Sequence, residues 1–442
     1  MPTISATQLK SHNVLADAIA DVTERYHKAN PKSHKNWQNA KNYMPGGNTR
    51  TVLHYEPFPL TIVRGEGTQL HDIDGHYYTD FLGEYSANLY GHSNPKIQSI
   101  LREVIADGIT LGAPNQWEAQ LAEIICSRIP SIDLVRFTNS GTEANLMALS
   151  AARAFTKRNK IMVMQGAYHG GVLCFTHKQA PINVPFDYVY AFFNDIEKTI
   201  GMIEHNKHDL AAIIVEPMMG AGGCIPAKKQ FLAALRDAAD RHGIILIFDE
   251  VMTSRSDTGG LQSLLEITPD MTTLGKFVGG GSSFGAFGGQ YDIMAQFDPT
   301  SNSAFPHAGT FNNNVLSMAA GYIGLSKIFT YPIAKDLFLR GEALIKELND
   351  IAEEEGVEVQ VTGCGSIMNI HMLPQKPHTP TYASHPSCER AVLVHLEMQL
   401  SGLTYAQRGF ISLNLAMAEN DLKNFTITFQ KVLRKYSGLL KN

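Results

Sequence analysis

Two residues able to work on one ligand stand at the ends of two apolar runs. Ile244-Ile245-Leu246-Ile247-Phe248 is followed by the carboxylates Asp249 and Glu250, and Thr272-Thr273-Leu274-Gly275 by Lys276, ahead of Gly279-Gly280-Gly281. A short run rich in β-branched residues reads as a buried strand. An acid at its end lies at the carboxyl edge of a sheet, where open α/β folds bind ligands. Such an acid is costly to bury unless paired. A lysine beside small residues at the next strand end is placed to meet the same ligand. An anion for a ring nitrogen and an amine that condenses with an aldehyde together suit pyridoxal 5′-phosphate, with Lys276 as the Schiff-base lysine and Asp249 as the pyridinium partner. The alternatives are an Asp249 that caps a helix and a Glu250 that is the buried acid.

Other stretches offer further parts of such a site. Thr138-Asn139-Ser140-Gly141-Thr142-Glu143-Ala144 follows an apolar run and opens a helix. A helix start presents unpaired N–H groups and a positive dipole end, so Ser140, Gly141 and Thr142 suit a phosphate. Ordinary capping by Ser140 or Thr142, with Glu143 in the first turn, explains the same residues. Tyr168-His169-Gly170-Gly171 puts a ring at another strand end, for stacking on a flat cofactor or for plain packing. Glu216-Pro217 leaves a carboxylate at a sheet edge, because proline stops the ladder. Gly309-Thr310-Phe311-Asn312-Asn313-Asn314 precedes a long helix and offers amides and a hydroxyl to an anion, or a cap. Arg50, after a glycine turn, and Arg408, in Ala406-Gln407-Arg408-Gly409-Phe410, are forks for a carboxylate. A single arginine is most often a solvated charge. The sequence leaves open whether Tyr85 or His54 lines the pocket.

Holding these residues together requires alternating strands and helices. From about residue 94 the pattern is βαβ, with strands expected at 135–137, 160–164, 211–215, 244–248, 272–274 and 285–288, and a helix over 144–155. Residues 15–43 read as one or two helices, 50–63 as extended, and Asp74-Gly75 as the turn of a hairpin. Residues 318–352 are mostly helical; 357–361 and 366–371 are strands of a separate lobe. Proline-rich 376–386 is a surface loop. The chain divides into 1–80, the N-terminal part of a small domain; 81–330, a large cofactor-binding domain; and 331–442, the C-terminal part of the small domain.

The formal charge of −5, from 37 basic and 42 acidic residues, gives no sign of a nucleic-acid or anionic-membrane partner. No run reaches the roughly 18 apolar residues of a membrane span, and the first residues lack the pattern of a secretion signal. The five cysteines are scattered and contain no Cys-x-x-Cys, which reads as reduced thiols in a cytoplasmic protein without a structural metal.

Taken in order, Ser140-Gly141-Thr142-Glu143-Ala144, Tyr168-His169-Gly170, Glu216-Pro217, Phe248-Asp249-Glu250-Val251, Leu274-Gly275-Lys276, Gly279-Gly280-Gly281 and Gly309-Thr310-Phe311 resemble the class III aminotransferases of the fold-type I pyridoxal phosphate enzymes. The resemblance implies an α/β fold: a large domain with a mainly parallel central sheet, plus a smaller α+β domain formed from the N- and C-terminal segments. It implies a Schiff base on Lys276, Asp249 at the pyridine nitrogen, phosphate held by Ser140, Gly141 and Thr142, Tyr168 stacked on the ring, and Glu216 and Val251 beside the cofactor. Thr310 would reach the phosphate of a neighbouring subunit, so that a homodimer is the functional unit.

Within the class, residues 43–58, Phe137 to Leu149, Phe248 to Arg255, Ser283 to Gly289, Gly309 to Val315 and Arg408-Gly409-Phe410 are similar to the β-phenylalanine (aromatic β-amino acid) aminotransferase branch. Arginines at the positions of Arg50 and Arg408 bind carboxylates there. The wider class continues Asp-Glu-Val-x-Thr with Gly-Phe-Gly-Arg; Thr253-Ser254-Arg255-Ser256-Asp257 departs from it and fits this branch. The implied reaction passes an amino group from a β-amino acid to 2-oxoglutarate or pyruvate, with Arg50 on the donor's carboxylate and Arg408 on the acceptor's. Residues 373–401 match little and would shape the side-chain pocket. Met44-Pro45-Gly46-Gly47-Asn48 and His307-Ala308-Gly309-Thr310-Phe311 are shared with glutamate-1-semialdehyde aminomutase, the alternative reading. A non-catalytic sensor of the same fold would need a DNA-binding domain ahead of it, for which the N-terminal residues are too few and too little basic.

Overall fold

The computed structural model describes residues 6–176, 181–380 and 389–441. Its centre is a seven-stranded sheet of β1 (Leu134–Thr138), β2 (Lys160–Met164), β3 (Asp187–Ala191), β4 (Leu210–Val215), β5 (Ile245–Asp249), β6 (Met271–Gly275) and β7 (Gly285–Gly289). Across the sheet the order is β1-β7-β6-β5-β4-β2-β3. β7 runs antiparallel to both neighbours, and the other pairings are parallel. The fold is therefore α/β with a mainly parallel sheet, as expected. β4 and β5 are buried at every position, the pattern of strands covered on both faces.

The helix Gly141–Thr156 lays Ala144, Asn145, Ala148, Leu149, Ala151 and Ala152 inward. The turn before this helix meets glycine-rich β7 closely: a Cβ on Gly285 would lie 2.1 Å from the Ser140 carbonyl oxygen. Packing this close fixes the turn at residues 138–141 against the sheet.

All six expected strands form. The 244–248 expectation stops one residue short, because Asp249 continues β5 and pairs in register with Thr273 of β6. β3 was not expected; it is an edge strand with half-buried Tyr188, Val189 and Tyr190, so it lacks a buried strand's apolar run.

Both ends of the chain contribute to the smaller sheets. Helices Ala6–Ala29 and Pro31–Ala40 lead to strands Ile62–Glu66, Gln69–Asp72 and Tyr77–Asp80, with the hairpin turn at Asp74-Gly75. Leu403–Thr404 joins this sheet beside Tyr77–Asp80. Residues 50–63 are less extended than expected, since Thr51–Leu53 is a short helical turn. Gln360–Cys364, Ile367–His371 and Phe410–Ser412 form another sheet, the first strand three residues later than expected. The helical stretch is Val315–Ile323, continued by a π-helical turn at Gly324–Ile328, and then Tyr331–Glu354, a new helix with Pro332 in its first turn. Residues 381–386 of the expected loop lie outside the described residues. Among those described, no helix is long and apolar enough to cross a membrane.

Candidate active site

Parallel strands deliver their carboxyl ends to one edge. Asp249 closes β5, Glu216 follows β4, Lys276 follows β6, Ser140 follows β1 and Tyr168 follows β2. Asp249 is 5% exposed. Its Oδ2 accepts from Asn145 Nδ2 at 2.8 Å and meets His169 Nδ1 at 2.8 Å; its Oδ1 accepts the Val251 N–H at 3.1 Å. Thr273 Oγ1 donates to Asn145 Oδ1 at 2.7 Å, fixing the amide's orientation. No lysine or arginine pairs with Asp249 among the described residues, so it is a buried anion held by dipoles and an imidazole. Glu250 is buried too, but it is consumed by Leu261 N–H, Gln262 and Thr253 and caps the helix Gly260–Leu265. The structure thus separates a free acid from a structural one.

Glu216 accepts the N–H groups of Tyr168 at 3.1 Å and Gly220 at 2.9 Å. Burial, with the Asp249 charge adding to it, pushes its pKa up to about 7. The Lys276 amine donates to the Tyr85 carbonyl at 2.7 Å. Burial pulls its pKa down to about 8; Arg50 and Arg408 act in the same direction, and Asp249 and Glu216 oppose. Lys276 also has a φ of 55°, a left-handed conformation that costs roughly 1–3 kcal/mol and recurs at functional positions.

Tyr85 sits in a second left-handed feature. Gly83, Glu84, Tyr85 and Ser86 have φ of 56°, 50°, 52° and 76°. Each non-glycine residue there costs roughly 1–2 kcal/mol, so the turn must be held from outside. Asp80 accepts the Leu82 and Gly83 N–H groups, the Tyr85 hydroxyl donates to the Val52 carbonyl, and Arg255 donates to the Ser86 carbonyl at 3.2 Å. Arg255 is 1% exposed and also donates to Ser366 Oγ, Ser412 Oγ and the Leu413 carbonyl. Burial pulls its pKa down to about 9.

Both predicted arginines meet the Tyr85 ring, with guanidinium carbons 5.8 Å (Arg50) and 5.3 Å (Arg408) from its centroid. Arg50 is ion-paired with Glu84. Arg408 Nη1 donates to the Ala221 carbonyl at 3.3 Å, and its buried Nε has no partner among the described residues. Tyr168, 44% exposed, feels the charges of Arg50, Asp249 and Arg408. His54 instead lies 3.5 Å from Glu56 and against Trp37, so Tyr85 rather than His54 meets the reactive groups.

The expected phosphate turn is closed tightly. Ser140 caps the helix Gly141–Thr156 by accepting the Glu143 N–H, which leaves the amides of Gly141 and Thr142 without acceptors among the described residues. A Cβ on Gly141 would come 2.9 Å from Val251 Cγ2, and one on Gly170 (φ 132°) 2.3 Å from Thr142 Oγ1. Thr142 Oγ1 accepts the Gly171 N–H at 3.2 Å, tying this turn to the Tyr168 loop. The parts fit pyridoxal 5′-phosphate: free amides on a helix start, a buried anion at a strand end, and a nearby amine. Thr310 is exposed, and among the described residues no hydrogen bond joins it to this cleft; its loop reaches the turn through Asn312 Oδ1, which accepts from Asn139 Nδ2 at 3.0 Å.

Reading the sequence missed Asn145, Glu84 and Arg255. Asn145 left one signal, an amide on an otherwise apolar helix face. Glu84 and Arg255 act through the Gly83–Ser86 turn, which no local pattern announces.

A family model described as aminotransferase class-III matches residues 52–409. The β-phenylalanine transaminase of Variovorax paradoxus is 46% identical over 97% of this chain and 99% of its own length. The crystal structure of a β-phenylalanine aminotransferase from the same organism superposes with a TM-score of 0.94 at 45% identity, covering 97% of this chain and 99% of that one. Glutamate-1-semialdehyde 2,1-aminomutase 2 of Brevibacillus brevis is 37% identical over 76% of this chain and 82% of its own.

Proposed function

The chain belongs to the class-III aminotransferases, enzymes of the fold-type I pyridoxal 5′-phosphate group, and from that premise we propose that it transfers the amino group of an aromatic β-amino acid such as β-phenylalanine to a 2-oxo acid. The observation that carries the substrate class is the pair of guanidinium groups, Arg50 and Arg408, beside one tyrosine ring near the Lys276 amine. A β-amino donor and a 2-oxo acceptor hold their carboxylates at different distances from the reacting carbon, and two guanidinium forks suit the two positions. The name of the Variovorax relative supports the β-amino donor. The aminomutase reaction moves nitrogen within one molecule and needs no second acid.

Pyridoxal 5′-phosphate supplies an aldehyde that captures amino groups and a ring that accepts the electron pair left when a C–H proton departs. Ser140, Gly141 and Thr142 would hold its phosphate, Asp249 its ring nitrogen and Tyr168 its face, with Glu216 and Val251 beside it. Asn145, His169 and the Val251 amide keep Asp249 fixed, so the anion needs little reorganisation. Lys276 Nζ, unprotonated far more readily than an ordinary lysine amine, takes the proton from the carbon bearing nitrogen and later returns one. Arg50 orients the donor's carboxylate, which in a β-amino acid lies one methylene farther from the reacting carbon than in an α-amino acid. Arg408 receives the acceptor's carboxylate.

The same reading makes the unit a homodimer and groups 1–80 with 331–442 as a small domain beside 81–330. The first rests on exposed Thr310 and a cavity of about 520 Å³ beside its loop, lined by Arg136, His307 and Gly309 among others, which suit a second copy. The second rests on the pairing of Leu403–Thr404 with Tyr77–Asp80. The four described cysteines are free, which fits a cytoplasmic enzyme.

The test is a panel of β- and α-amino acids, both enantiomers, with 2-oxoglutarate or pyruvate as acceptor. The proposal expects acceptor-dependent consumption of β-phenylalanine at a higher kcat/KM than any α-amino acid. Conversion of glutamate-1-semialdehyde without an acceptor, in place of that turnover, would overturn it.

A further inference from the structure

The two arginines differ in one respect: Arg50 already holds a carboxylate, and among the described residues Arg408 does not. We propose that Glu84 is a specificity-determining residue that competes with the amino donor's carboxylate for Arg50. The inference rests on the transaminase reading for the identity of that donor. The Glu84 backbone is fixed at φ 50° within the left-handed turn, one residue from the carbonyl that accepts the Lys276 amine. Its carboxylate therefore approaches Arg50 from a rigid base that also forms part of the reactive centre. The side chains are 53% and 44% exposed, and a pair so exposed shifts an equilibrium by only about two- to five-fold. An incoming carboxylate can displace it.

Among the described residues Arg408 has no such carboxylate partner. Its buried Nε lacks an acceptor among the described residues; Tyr85, Tyr168 and Lys276 feel the charges of both arginines, and Cys224 that of Arg408. The consequence is asymmetric. An amine without a carboxylate leaves Arg50 neutralised by Glu84 and is tolerated there. An acceptor without a carboxylate leaves the half-buried Arg408 guanidinium, whose Nε is cut off from solvent, without a counter-charge. Glu84 thus widens the donor range at the expense of affinity for acidic donors, and has no such effect on the acceptor.

The test compares holoenzyme with Glu84→Gln, Arg50→Ala and the double variant, using β-phenylalanine, 1-phenylethylamine (the same amine and ring without a carboxylate) and 2-oxoglutarate. Glu84→Gln is expected to lower KM for β-phenylalanine about two- to five-fold, to leave KM for 2-oxoglutarate unchanged and to lower kcat/KM for 1-phenylethylamine. In the Arg50→Ala background, Glu84→Gln is expected to leave the β-phenylalanine KM where it was. Calorimetric binding of 3-phenylpropanoate, which cannot react, is expected to tighten by the same factor in Glu84→Gln, and this arm needs no turnover. Unchanged donor KM and unchanged 3-phenylpropanoate binding, an equal shift for donor and acceptor, a shift for the acceptor alone, or a shift that persists without Arg50 would each overturn the competition. Loss of the transaminase reading shows differently, as wild-type enzyme without acceptor-dependent turnover.

Discussion

Lys276 should lose its proton well below the pH at which an ordinary lysine does. Its pKa falls from 10.5 to about 8, chiefly through burial. Near pH 7 roughly a tenth of such an amine is unprotonated, against roughly 0.03% of an ordinary lysine, a gain of a few hundred-fold in the form that attacks an aldehyde. The stability consequence has a definite sign. Between about pH 8 and 10.5 the unfolded chain carries a proton at this position and the folded chain does not, so stability rises with pH there. Below about pH 8 the folded protein bears the full cost of a buried ammonium. The assay is the rate at which an amine-selective acylating reagent labels the Lys276 peptide of cofactor-free protein, measured from about pH 6 to 11. The midpoint is expected near 8. Arg408→Ala removes a cation that depresses the pKa and should raise the midpoint; Asp249→Asn removes an anion that elevates it and should lower it. A midpoint near 10.5, or shifts in the reverse order, would refute the electrostatic picture of the cleft.

Three other perturbations have definite expectations. Glu216 has a raised pKa, so its contribution to stability is full below about pH 4.5 and is lost as pH rises through about 7, a change of roughly 3 kcal/mol; the melting temperature of Glu216→Gln minus that of wild type, both cofactor-free, should increase by about 3 °C over that range, and a pH-independent difference would contradict the shift. Gly170→Ala forces a Cβ to 2.3 Å from Thr142 Oγ1 at φ 132° and should weaken pyridoxal 5′-phosphate binding by about ten-fold or more in equilibrium dialysis. Asn145→Ala removes a hydrogen bond to the buried Asp249 carboxylate, worth about 1.5–3 kcal/mol; kcat should fall roughly ten- to hundred-fold, and an unchanged kcat would show that Asp249 needs no such support.

The residues legible in the sequence are those whose signal is local. A β-branched run that ends in a polar residue marks a strand end, and the parallel order β6-β5-β4 then gathers Lys276, Asp249 and Glu216 at one edge. The arginines were legible through resemblance, since nothing near Arg50 or Arg408 in sequence shows that they converge on Tyr85. What stayed hidden depends on contacts between distant segments. The acceptor of the Lys276 amine is a backbone carbonyl of Tyr85, which any residue type could supply. The left-handed turn contains three residues that usually avoid that conformation, so composition argues against it. Arg255, inside a short helical turn after β5, shows no sign in sequence that it is buried among hydroxyls and carbonyls of residues 366 and 412–413. β3 escaped because half-buried tyrosines at a sheet edge do not make an apolar run.

The most direct test of the active-site assignment is reductive trapping. Protein incubated with pyridoxal 5′-phosphate, treated with borohydride and mapped by peptide mass spectrometry should carry one phosphopyridoxyl group per chain, on Lys276, and Lys276→Ala should carry none. A label on another lysine at that stoichiometry, or no label on Lys276, would contradict the account.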